Sequence, residues 1–202
     1  MKLTSVFFYI IPVSMLLCGC PAPEDDTEYH YIDNDTIISI SDNATTFNVD
    51  DVIFTESIVG NTQTTIDNQN ITLKDYYLYQ DEPHVTLTHS LTLYKESSFG
   101  SLTAIPISEE YLEFQEGKIT TNNSSRYPNI QITSNLKGET FKTKFGIKLK
   151  ERGTYYLSST NYNIHSNGLV LISGGDYSRG IIEIRTRIIN SDDKGLYKFV
   201  VN

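Results

Sequence analysis

Tryptophan is absent from the 202 residues, and the only two cysteines, Cys18 and Cys20, lie within the first twenty positions. The chain after Cys20 is therefore thiol-free, which excludes a disulfide framework, a thiolate metal site and a cysteine nucleophile from it. Such a domain must hold together through its core, and it is long enough to build one. Cations are scarce as well: 16 Lys and Arg stand against 25 Asp and Glu, for a formal net charge of −9. Affinity for nucleic acid comes from Lys and Arg neutralising phosphates, so this balance argues against that partner and against attraction to an anionic bilayer. Serines are plentiful, but none stands in a G-x-S-x-G elbow. Glu109, Glu110, Glu113 and Glu116 read as a wet face rather than as half of a glycosidase pair. The expectation is a non-enzyme with no cofactor.

The longest apolar run, Val6 to Leu17, is interrupted only by Pro12 and Ser14 and follows the positive start Met1-Lys2. It is shorter than the roughly 20 residues that span a bilayer, and has the length and flanks of a secretory signal. Leu17-Cys18-Gly19-Cys20 at its end resembles the lipobox of bacterial lipoproteins. That resemblance implies cleavage between Gly19 and Cys20, with fatty acids such as palmitate carried on the Cys20 thiol and the new amino terminus. One buried chain anchors only marginally and stable attachment needs more; bacterial lipoproteins carry three. Pro21 stands where Asp commonly signals inner-membrane retention, so the outer membrane is the expected location. Glu24-Asp25-Asp26 resembles the acidic tag of surface-exposed lipoproteins of the Bacteroidota. Residues 1–19 thus read as signal peptide, and 20–35 as a lipidated, extended and mobile acidic tether. Asp35-Thr36-Ile37 resembles the O-glycosylation signal of exported Bacteroidota proteins, with Thr36 as the acceptor.

From Thr36 to Asn202 the periodicity is two rather than 3.6. In Val85–Tyr94 one face carries Val85, Leu87, His89, Leu91 and Leu93 while Thr86, Thr88, Ser90, Thr92 and Tyr94 share the other. Alternation of this kind belongs to a half-buried antiparallel strand. Thr140–Lys150 repeats it, with Phe141, Phe145, Ile147 and Leu149 inward and Lys142, Lys144, Lys148 and Lys150 outward. Ile71–Tyr79 reads as a further strand. Asn167-Gly168 is the strongest hairpin signal, and Gly117, Gly138 and Gly195 mark further turns. About eleven such runs predict an all-β sandwich or barrel. Glu151-Arg152-Gly153-Thr154-Tyr155 resembles the D-x-G-x-Y tyrosine corner of immunoglobulin-like domains. It implies an immunoglobulin-like antiparallel β-sandwich over 36–202. Signal, lipobox, tether and one β domain together resemble the Bacteroidota surface lipoproteins, a likeness that supplies location and fold but no activity.

Candidate sites are few. His84 and His89 lie five apart on one strand, hence on opposite faces, and cannot share an ion; His89 reads as a core residue. His30 falls in the tether and His165 beside the hairpin. Asp33-Asn34-Asp35, Asp50-Asp51 and Asp192-Asp193 offer oxygen ligands, but none has EF-hand spacing, and Asp and Asn favour turns for local reasons. No metal is expected. Tyr76, Tyr77 and Tyr79 cluster in one expected strand, and outward tyrosines present a flat apolar ring with a polar tip, suited to stacking on sugars. Lys142, Lys144, Lys148 and Lys150 form a positive stripe that either guards an edge strand or holds an anionic ligand. The reading is an outer-membrane surface lipoprotein acting as a binding or adhesion module for a glycan or protein partner. The alternative is a structural or accessory subunit of an envelope complex.

Overall fold

A computed structural model describes residues 28–77, 86–123, 127–160, 168–174 and 180–202. The leader, Cys20, Gly19, Tyr79, His84, His165 and Asn167 lie outside them. The architecture is an immunoglobulin-like all-β sandwich organised on one long strand, β7 (Thr86–Glu96). Ahead of it come β1 (Tyr29–Asp33), β2 (Ile38–Ile40), β3 (Thr46–Phe47), β4 (Val52–Gly60), β5 (Thr62–Thr64), β6 (Asn70–Thr72) and a short helix, α1 (Leu73–Tyr77). After it come β8 (Leu102–Ala104), β9 (Leu112–Glu116), β10 (Lys118–Asn122), β11 (Asn129–Lys137) and β12 (Thr140–Lys148). The chain closes with β13 (Gly153–Ser159), β14 (Val170–Gly174), β15 (Ile181–Thr186) and β16 (Tyr197–Val201).

One layer runs β1-β15-β14-β7-β11-β10, with β13, β16 and β3 joined to the far end of β7. The other runs β9-β12-β4-β2. The layers meet at the β11–β12 hairpin, where Leu136 pairs with Phe141 before the strands part into different sheets. Gly117 fits into that parting. Its φ is +92°, and a Cβ would stand 2.6 Å from Thr143 Cγ2 and 3.0 Å from the Thr133 carbonyl. No side chain fits there.

The alternation read from the sequence sets the core. Leu87, Leu91 and Leu93 of β7 join Ile130, Ile132, Ile53, Phe141, Phe145 and Ile147 in a single apolar cluster that draws on both layers. The tyrosine corner is in place: the Tyr155 hydroxyl donates to the Glu151 carbonyl at 2.9 Å. The stretch Ala44–Asp51 is tied down by Asp51, whose carboxylate accepts from the Asn48 amide at 2.6 Å. Asn34 and Asp192 cap their own turns in the same way, so the oxygen clusters at these positions serve the backbone. Among the described residues no three His, Cys, Asp or Glu side chains gather to hold a metal.

Four expectations are corrected. The sheets are not wholly antiparallel: β1 pairs with β15, and β3 with β16, in parallel. Parallel pairing needs a crossover between partners, and most of the chain supplies it here. The sandwich also begins well before Thr36, because Tyr29–Asp33 is a strand rather than tether. His30 and Ile32 of β1 point inward and are buried, and burying them outweighs the solvation of the neighbouring acids. Ile71–Tyr79 is not one strand, since the chain leaves β6 directly into α1. Asn61 causes the bend: its carbonyl accepts from the Leu73 amide at 2.7 Å and its side chain from the Lys74 amide at 3.1 Å. Lastly, β12 lies between β4 and β9, so its lysines guard no edge.

His89 is fully enclosed opposite Ile132, and burial pushes its imidazole down to about 4. The folded state therefore refuses a proton that the unfolded chain accepts below its ordinary value. Stability on this account is complete above about pH 6.5 and drains away as the pH falls towards 4, by about 3 kcal/mol. Urea titrations across that range should show His89→Leu losing correspondingly less stability than the parent. Parallel pH profiles would contradict the assignment.

Candidate functional site

The outer face of the first layer carries a row of exposed and half-buried polar side chains. Registers fix its central row. Tyr31 stands opposite Glu183, Glu183 opposite Ser173, Ser173 opposite Thr88, Thr88 opposite Thr133, and Thr133 opposite Lys118. Six strands contribute one residue each, so the row runs for roughly 24 Å at the usual strand spacing. Each member is exposed or half-buried. Beside it a shorter row places Ser90, Gln131 and Thr120 in line. The two threonine hydroxyls at its middle, Thr88 and Thr133, lie 3.5 Å apart.

One end of the row is aromatic. Tyr29 and Tyr31, two apart on β1, point outward with ring centroids 6.4 Å apart and planes within 15°. The Arg185 guanidinium sits 4.5 Å over the Tyr31 ring and donates through Nε to Glu183 Oε1 at 2.8 Å. The Glu183 carboxylate accordingly holds Arg185 above its ordinary value. Tyr29 remains 55% exposed and Leu171, beside Arg185, 47%. Charge is balanced: Glu183 pairs with Arg185, while Asp33 and Lys118 lie at opposite ends of the sheet. On an acidic protein this is a nearly neutral surface. Hydroxyls and a carboxamide can donate and accept, the rings offer apolar faces with polar tips, and no nucleophile–base pair accompanies them.

Of the tyrosines singled out in the sequence, Tyr76 is not part of this face. Tyr76 lies on α1, edge-on to His30 with centroids 4.8 Å apart. Burial, with Glu28 and Asp75 nearby, pushes its phenol up. It packs rather than displays. Tyr77 closes the same helix, while Tyr79 falls outside the described residues. The four lysines also separate. Lys142 pairs with Glu56 at 2.8 Å, and Lys144 faces Glu56 and Glu116 in register. Lys148 and Lys150 instead meet Asp50 at the end of β12, at 3.8 and 2.5 Å. Thr36 is exposed on a turn where its hydroxyl donates to Asn34 Oδ1 at 2.7 Å. Sequence reasoning missed Tyr29, Tyr31 and Arg185 because the acidic run hid β1. The signal was present in Tyr29-His30-Tyr31-Ile32, which alternates aromatic-out with apolar-in.

No protein-family signature matches the chain, and no curated protein does either. Among solved structures it is similar to a type II cohesin domain from the cellulosome of Acetivibrio cellulolyticus. The identity is 13% and the TM-score 0.35, over 82% of this chain and 95% of that one. A type II cohesin dyad from the adaptor ScaA scaffoldin of the same organism gives 11% identity and a TM-score of 0.32, over 87% of this chain and 48% of that one. At such overlap, function rests on the residues of this chain.

The tyrosine end depends on β1 staying zipped to β15, which the buried Ile32 enforces. The amides of Tyr29–Asp33 that bond to β15 should be protected from hydrogen exchange together with those of β15, whereas a mobile tether exchanges within seconds. Ile32→Ala should cost about 2–4 kcal/mol and release protection in both strands together.

Proposed function

We propose that the chain is a non-catalytic binding module, lipid-anchored on the outer face of a bacterial outer membrane, whose tyrosine-edged sheet face holds an uncharged polysaccharide. The observation that carries the reading is the Tyr29–Tyr31 pair, flanked by Arg185, at the head of a neutral row of hydroxyl and amide side chains. A pyranose ring has an apolar C–H face and a polar rim. The first stacks on tyrosine, and the second exchanges its water partners for Ser173, Thr88, Thr133 and Gln131. Charge supports the choice of ligand. A neutral polymer loses nothing on a face without net charge, while a polyanion would meet the field of the surrounding acidic protein. Leu17–Cys20, Pro21 and Glu24-Asp25-Asp26 support the location.

A glycan array probed with residues 21–202 tests the ligand. Neutral oligosaccharides should bind, and Tyr31→Ala should weaken them about tenfold, equivalent to roughly 1.4 kcal/mol. Tyr76→Phe should leave binding unchanged. Silence across the array would reject the glycan reading in favour of a structural or accessory role in an envelope complex. For the anchor, cells fed alkyne-labelled palmitate should label the parent protein and not Cys20→Ala. An unlabelled parent would reject lipidation.

A further inference from the structure

The two layers part on the side where β7 ends, and the parting leaves a cleft of about 310 Å³. Its floor is core surface reaching the outside: Leu93 from one layer, Ile147 and Leu149 from the other, with Ile105 and Ile107 from the segment after β8. Tyr111 and Tyr155 line it as well. The cleft is held open by specific bonds. The Asn123 side chain donates to the Ile107 carbonyl at 2.8 Å and accepts from its amide at 3.1 Å. The Ile105 amide continues the β7 pairing through the Leu93 carbonyl at 2.9 Å.

Three ammonium groups ring this apolar floor, against a single lining carboxylate. Lys95 pairs with Glu151 at 2.5 Å and lies 5.4 Å from the Tyr155 ring centroid. Lys150 lies 5.4 Å from that of Tyr111. Lys148 and Lys150 share one acid, Asp50, which stands outside the lining. Glu110 is the other acid acting on Lys150. Exposed ion pairs of this type contribute only about 0–1 kcal/mol, so an entering anion can take over a lysine at little cost.

We propose that this cleft binds a small free amphipathic carboxylate, with its apolar body on Leu93, Ile105, Ile107, Ile147 and Leu149 and its head group on Lys148 and Lys150. The volume is at the small end of ligand pockets, which suits a medium-chain fatty or aryl carboxylate. The apolar floor without the lysines would take any hydrophobe, and the lysines without the floor any anion. Their convergence selects molecules that are both. This site is separate from the tyrosine face and goes beyond the glycan reading, so either can fail alone.

Isothermal titration of the folded chain with decanoate is the test. Saturable binding at one site is expected, and 1-decanol should bind at least tenfold more weakly. Lys148→Gln with Lys150→Gln should weaken decanoate tenfold or more, and Ile105→Asp should abolish binding. The paired control Lys142→Gln with Lys144→Gln, outside the cleft, should leave affinity unchanged, as should Tyr31→Ala. Circular dichroism melts of each variant establish that it is folded. Absence of saturable heat, equal affinity for decanoate and decanol, or indifference to the Lys148/Lys150 pair would overturn the proposal.

Discussion

Strand β7 is the member on which the rest of the molecule depends. It hydrogen-bonds to four neighbours: β11 and β8 along one edge, β14 and β13 along the other. A strand so enclosed cannot slip register, because a shift of one residue would turn Leu87 out to the half-buried face of Thr86 and Thr88 and bring Thr88 and Ser90 into the core. Without disulfides, this register is what locks the layers together. Each functional feature is then a consequence of position along one strand. Thr88 stands in the polar row, His89 in the core, and Leu93 and Lys95 in the cleft.

The same strand explains why the two proposed sites differ in character. Along its first half the outward residues of β7, Thr86, Thr88 and Ser90, are only half-buried and lie on an open face suited to an extended polymer. Towards its end the second layer peels away with β12, and the inward residues become the floor of a recess. One site follows from a sheet being continuous, the other from two sheets diverging. Neither places a nucleophile beside a base, and as proposed both would bind through groups already oriented by the backbone. Gly117 assists the divergence, since only a residue without a side chain can lie between Thr133 and Thr143 as β11 and β12 separate.

The elements legible in the sequence were those whose signal is local. Alternation in β7 and β12 gave their buried faces, Glu151–Tyr155 gave the corner, and the apolar face of β7 correctly took His89 into the core. What escaped depends on distant partners. The strand β1 is short and flanked by acids, and is a strand only because β15 receives it. The helix α1 exists because Asn61, more than ten positions earlier, takes its first amides. The lysine stripe looked like a unit because period two groups residues by face. The structure divides it at the point where β12 ends and the chain turns towards Asp50.

One consequence of the parallel β1 concerns geometry at the cell surface. Its first residue is Tyr29, so with the proposed lipid on Cys20 the leash before the folded body is only nine residues, a reach of about 30 Å at full extension. The edge bearing Tyr29 and Tyr31 would then be held within that distance of the bilayer. A polymer seated along the row from that edge would start beside the bilayer that displays the protein and run outward from it across the sheet.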